Sequence, residues 1–324
     1  RISDELLGVI LLPAAGRRVR GAALDFVVRA AERLAEALLH ARLARRAAER
    51  AALAREVELA AAVQAALLPG TGPHIHGGLT VVGSWQPATR CAGDFWTVAP
   101  LGPLGSVLIA IGDVTGHGVA SAMVAAAAIG ACDVCVRRAG AGLDLGELIA
   151  ALDAAVRRVG GGDLAMTCFA TILDPARREV RFVSCGHPAP YLCRLIEKPL
   201  ETANERSLGA RVELQALVGR GNPLGTGLPA NARLQRRLLE AGDLVVWYTD
   251  GVVEAQDPAG AAYGDRRLQH LLKSLDRPRL TPLAVHDLVH RGVSAHRAGR
   301  PPDDDETLVV AQLRSIPAAR EAAP

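Results

Sequence analysis

Four acidic turns in this chain each border a strongly apolar run. They are Asp94 in AGDFW, Asp113 in IGDVTGHG, Asp250 in YTDG, and Asp303, Asp304 and Asp305 in PPDDDET. Carboxylates brought side by side repel one another at neutral pH unless cations lie between them. A set of oxygen donors without His or Cys selects hard ions, Mg²⁺ or Mn²⁺. A pair of such ions can make hydroxide from a bridging water and hold an in-line attack on phosphorus. If the flanking strands lie side by side, these residue types point to phosphoester hydrolysis.

The stretch around Asp113 is the centre of this reading. Residues 107–111 form an apolar run suited to a buried strand, and residues 120–128 suit a packed helix. Gly112, Gly116 and Gly118 punctuate the turn between them. A strand, an acidic turn and a helix N-terminus suit a metal or phosphate site, or else a tight connection whose Asp caps the helix.

The elements that must position these turns follow from pattern. Residues 24–68 contain neither Pro nor Gly and are rich in Ala, Leu, Arg and Glu, which predicts one long helix closed by Pro69 and Gly70. Leu24, Val27, Ala31, Leu34 and Leu38 recur three and four apart, and Leu53, Val57, Ala60, Gln64 and Leu67 repeat that spacing in a shifted register. Such a seam either pairs two copies of the chain as a coiled coil or packs on its own domain; the dimerising linker is the expectation. Strands are expected at 79–85, 167–173, 180–185, 244–248 and 308–313, with helices at 145–159, from 268, and at 282–295. Residues 194–220 show no period and read as an exposed loop or an irregular hairpin. A further strand at 6–12 has no partner nearby.

Composition sets limits. The 324 residues are half hydrophobic and only 3% aromatic, so the core must be built from Ala, Leu and Val. A net charge of +3 is too small to argue for nucleic acid or an anionic membrane. Six cysteines do not form a disulfide framework at this length; Cys168, Cys185 and Cys193 read as small buried residues. Cys132 and Cys135 make a C-x-x-C without a second pair or a nearby His, so no zinc site is expected. No apolar stretch of about 18 residues and no signal peptide is read, which favours the cytoplasm. Since it begins at Arg1, the chain reads as a fragment of something longer.

IGDVTGHG, CGHPAPYL, NPLG, GDLVVWYTDGVVEA and DDETLVV, in this order, resemble the PPM-type metal-dependent serine/threonine protein phosphatases. The likeness is to the bacterial branch of stage II sporulation protein E and the regulators of stress sigma factors, and covers about residues 55–314. It implies an α+β fold, a four-layer α-β-β-α sandwich with two central antiparallel sheets, preceded here by the long linker helix. It also implies two ions, Mn²⁺ or Mg²⁺. Asp113 matches the carboxylate that bridges both, with the Val114 carbonyl as a neighbouring ligand. Asp94 matches a ligand of one ion; Asp250 and Asp304 match ligands of the other, with Asp305 behind them. The family's G-G-D-F-Y-D stands here as Ala92, Gly93, Asp94, Phe95, Trp96, Thr97, so the ligand is kept and the last acidic residue is lost. His117 is a candidate general acid or a turn-holding residue, Arg90 a candidate grip on the substrate phosphate, and His187 a structural residue.

Residues 6–12 and the helix after them resemble, more weakly, the last strand and exit helix of a GAF sensor domain. The division expected is therefore 1–23 sensor remnant, 24–70 linker helix, 71–315 phosphatase domain and 316–324 tail. The resemblance implies a phosphorylated protein substrate, a STAS-type anti-sigma-factor antagonist, and a homodimer through the linker. Two rival readings are a metal-free interaction module on the same fold and a diguanylate-cyclase-like enzyme, the latter lacking a use for TDG and DDET.

Overall fold

The structure is a computed structural model describing residues 9, 20–70, 72–202, 205–276 and 280–314, the side chains over 198–210 excepted. The strand expected at 6–12, with the sensor remnant built on it, and the tail from 316 lie outside the described residues.

Helix α1 (Ala22–Leu67) runs 46 residues without Gly or Pro, as its composition requires. Leu24, Leu34, Leu38 and Leu53 of its apolar seam are exposed, and Gln64 is its one buried residue among those described. By Cα proximity the chain divides at Leu59/Ala60, within the helix rather than at Pro69. The last two turns go with the second unit because Gln64 and Leu68 pack on its body.

The second unit is two antiparallel sheets. One has six strands in the order β1 (His74–His76), β2 (Leu79–Gln86), β11 (Glu306–Leu313), β10 (Leu244–Tyr248), β7 (Tyr191–Thr202) and β8 (Glu205–Ala216). The other has five: β3 (Phe95–Pro100), β4 (Val107–Val114), β5 (Met166–Asp174), β6 (Glu179–Cys185) and β9 (Gln235–Leu238). Trp96, Ile109, Ile111, Phe169, Val245, Trp247 and Val309 fill the space between them. The five-stranded sheet carries α2 (Val119–Ala139) and α3 (Leu145–Gly160) on its outer face, through Val124, Ala128, Leu148 and Leu152. The six-stranded sheet carries α5 (Asp265–Lys273) and α6 (Pro282–Arg297), through Leu268, Val285 and Val289. Both faces of the central strands are thus covered, which is why they read as unbroken apolar runs. The α+β class and the sandwich of two antiparallel sheets are as expected.

Three differences from the sequence reading have physical reasons. Residues 194–202 and 205–216, read as an exposed loop or an irregular hairpin, are the regularly paired strands β7 and β8. Strand β10 pairs with β7 only at residues 191–193, so beyond them no third strand demands an alternating pattern. Helix α2 is longer than expected and takes in Cys132 and Cys135. With its following turn, Val119–Gly142 is long and apolar enough to cross a membrane, correcting the reading that no such stretch exists. Its inner face, from Ser121 to Cys132, packs in the core of the sandwich, and small Ala side chains make the segment apolar all round. Lastly, β3 begins directly after Asp94, within a segment read as turn.

Candidate metal centre

The four acidic turns converge. Asp113 lies near the end of β4, Asp94 immediately before β3, Asp250 opens the short helix α4 (Asp250–Glu254) after β10, and Asp304 and Asp305 precede β11. Strand β4 pairs with β3, and β10 with β11, so each sheet contributes one pair of turns to a shared edge.

Their electrostatics record how close they are. Burial pushes the Asp113 carboxyl up to about 7, and Asp250, Asp304, Asp305 and Glu254 push in the same direction. Asp94 is 1% exposed. Burial raises its pKa well above the usual range and the Asp113 charge adds to this, while hydrogen bonds from Thr249 and Thr307 oppose it. Asp250 is raised by burial and by Asp304. These are carboxylates sharing one poorly hydrated edge.

Each turn is held by its own contacts. The Thr249 and Thr307 hydroxyls both donate to Asp94 Oδ2, each at 2.7 Å, and the Thr307 amide donates to the Thr249 hydroxyl at 2.9 Å. The Asp94 carbonyl accepts from the Trp85 indole at 3.1 Å. Asp305 is a clamp: Oδ1 accepts from the Ala88 amide at 2.8 Å and Oδ2 from the Gly93 amide at 2.7 Å. Gln64, at the end of α1, pairs its amide with Ala92, donating to the carbonyl at 2.7 Å and accepting from the amide at 3.1 Å. The loop bearing Asp94 is therefore gripped from both sides.

Two glycines permit the close approach. A Cβ on Gly93 would stand 2.5 Å from the Val114 carbonyl oxygen, so only Gly lets the Asp94 loop lie against the end of β4. A Cβ on Gly251 would collide with the Asp305 carbonyl, so the TDG turn needs Gly to rest on the DDE turn. Asp113 does not cap α2: the N-cap is Gly118, with no side-chain cap. The capping alternative is set aside.

Other candidates sit less tightly. Asp304, Arg90 and His117 are exposed, His117 on the turn after Asp113 and Arg90 on the loop before Asp94. Among the described residues no three His, Cys, Asp or Glu side chains already form an ion-holding cage. Asp250 and Asp304 each spend Oδ1 on the next amide, at 3.0 and 2.8 Å. The donor set nonetheless fits hard divalent ions: it is all oxygen, and the raised pKa values of Asp94, Asp113 and Asp250 mark charge that a cation would relieve. Sequence reasoning missed Thr249, Thr307, Gln64 and Trp85; the Thr in TDG and in DDET was visible but carried no sign of its partner.

A family model described as Stage II sporulation protein E (SpoIIE) matches residues 103–314. The SiaA PP2C domain of Pseudomonas aeruginosa superposes with a TM-score of 0.62 at 21% identity, covering 82% of this chain and 99% of that one. The RsbU and RsbW domains of Rv1364c from Mycobacterium tuberculosis give 0.55 at 22%, covering 75% and 62%, so this chain spans less than two thirds of that protein. RsbX in complex with magnesium gives 0.52 at 15%, covering 75% and 100%. At these identities the likeness is one of fold.

Proposed function

Because the chain belongs to the SpoIIE family of PP2C-type, metal-dependent serine/threonine phosphatases, we propose that it hydrolyses phosphoserine or phosphothreonine on a regulatory protein. The observation that carries the reading is the convergence of Asp94, Asp113, Asp250 and Asp304, from four separate segments, on one edge where burial and mutual repulsion raise the first three.

Asp113, with the Val114 carbonyl beside it, would be shared by two ions, Asp94 would serve one of them, and Asp250 and Asp304 would serve the other. The magnesium of RsbX supports Mg²⁺ or Mn²⁺ as the metal here. When bound, such ions supply Lewis-acid chemistry, acidifying a water and offsetting phosphoryl charge. The Thr249 and Thr307 hydroxyls fix Asp94 through one oxygen and so orient the other. Asp305 holds the Asp94 loop against the DDE turn. Arg90 is suited to a bidentate grip on the substrate phosphate, and His117 to protonating the leaving seryl oxygen.

The substrate class we favour is a STAS-type anti-sigma-factor antagonist, supported by the stress-regulator likeness, with a homodimer formed through the exposed seam of α1. Six free cysteines support a reducing compartment, the cytoplasm. The missing preformed cage among the described residues favours a second reading, a metal-free interaction module. One experiment separates them: Mn²⁺ titration by calorimetry beside hydrolysis of a phosphoserine peptide. Binding, together with hydrolysis abolished by EDTA, supports the phosphatase; no binding by the intact chain sinks it. Light scattering that finds a monomer both with and without residues 24–68 would remove the dimer.

A further inference from the structure

His187, in the CGHPAP corner after β6, stands between the two sheets at the carboxylate edge. It is 7% exposed. Its Nδ1 lies 2.8 Å from the Thr167 hydroxyl, and Thr167 faces Asp113 across the β4–β5 ladder. The preceding Gly186 bridges to Cys168, the residue opposite Gly112, so the corner is pinned to the strand pair that carries Asp113. On its other side the ring meets the main chain of Tyr248, in the second sheet, just before Thr249 and Asp250. Nε2 is buried and has no well-formed hydrogen bond there.

Burial pushes the imidazole pKa down to about 3, so the ring is neutral and carries one hydrogen. Carbonyl oxygen only accepts, so Nε2–H faces the Tyr248 main chain and Nδ1 takes the Thr167 hydroxyl proton. An imidazole is rigid, polar at both ends and adds no charge. A Lys or Arg in its place would pair with the nearby carboxylates and compete with a metal ion.

We propose that His187 is a positioning residue, a neutral strut that sets the spacing between the Asp113 strand pair and the Thr249–Asp250 strand end, and thereby the affinity for divalent metal. The proposal rests on the reading of this edge as a metal centre. A buried N–H held short of its acceptor is costly. Closing the edge around a bound ion would complete that bond and so couple sheet spacing to ion binding.

The test is calorimetric titration of Mn²⁺ into the full chain and its variants, beside thermal unfolding of each without metal. His187→Asn keeps a polar group near Nδ1 and stops short of Tyr248; it should weaken Mn²⁺ binding about 10- to 100-fold. His187→Gln places a donor at the far position and should stay within roughly threefold of wild type, well short of a full outer-sphere loss. Both variants lose ring packing and should lower the metal-free melting temperature alike, so affinity and stability part company. Equal affinities for Asn and Gln, wild-type affinity in Asn, or affinity that tracks melting temperature would overturn the proposal. If neither His187 variant folds, Thr167→Val against Thr167→Ser decides it: Val should lose about tenfold and Ser should not. A wild-type chain that takes up no Mn²⁺ fails earlier and elsewhere, at the metal-centre reading itself.

Discussion

Two buried carboxylates in this molecule meet opposite fates. Asp243, 3% exposed at the start of β10, is held by Arg194, whose Nε stands 3.0 Å from Oδ1 and whose Nη2 stands close to Oδ2. The Glu240 amide adds a bond at 2.7 Å. Asp94 is as deeply buried, yet it receives two hydroxyls and an acidic neighbour in Asp113. Where the fold needs a carboxylate for its own sake it supplies a guanidinium. At the proposed metal edge the hydroxyls orient Asp94, and bound cations would meet its charge. The contrast separates structural acids from acids meant for a ligand by what surrounds them, since burial is the same.

Breaking the contrast at each end should give unlike results. Asp113→Asn should abolish phosphopeptide hydrolysis and weaken Mn²⁺ binding by more than the ~100-fold typical of an outer-sphere loss. Full activity in that variant would remove Asp113 from the site. Arg194→Met strands Asp243 and should cost about 3 kcal/mol in urea unfolding while leaving Mn²⁺ affinity unchanged. A loss of metal binding there would mean the two regions are not independent. Gln64→Leu removes both bonds to Ala92 and leaves buried main-chain groups unpaired, costing about 2 kcal/mol. It should also loosen the Asp94 loop, so metal affinity falls with stability, unlike Arg194→Met.

A further effect concerns pH. With metal removed, folded Asp113 releases its proton at about 7, while in the unfolded chain it does so near ~3.9. Between those values the folded state holds the extra proton, so this carboxyl's contribution to stability falls as pH rises. The melting temperature of metal-free Asp113→Asn should therefore gain on wild type from pH 5 to pH 8, other groups such as His187 cancelling in the difference. Added Mn²⁺ should reverse the order at pH 8. A difference flat across that range would show that burial and the acidic neighbours do not raise the Asp113 carboxyl.

Much of this was legible in the sequence. Asp94, Asp113 and Asp250 each border a strand end, and a period-two or unbroken apolar run betrays a strand whatever its partners. Asp305 was legible as a residue behind the ligands, but nothing local shows both its oxygens bound to amides more than 200 residues upstream. Thr249, Thr307 and Gln64 were not legible as parts of the site. A hydroxyl or an amide side chain has no marker of its own, and its meaning lies in a partner from a distant segment. The regular pairing of β7 and β8, read as a loop or an irregular hairpin, escaped for a related reason, since a ribbon beyond the sheet is free of the alternation that burial imposes.

The chain by itself determined the apolar core strands, the long uninterrupted helix and the four acidic turns, because backbone preference and apolar periodicity are local properties. Only the tertiary structure decided that those turns share one edge, that Thr249 and Thr307 aim Asp94, and that Arg194 neutralises Asp243. Charge and hydrogen bonding act through space, and distance in space is settled by packing the two sheets face to face.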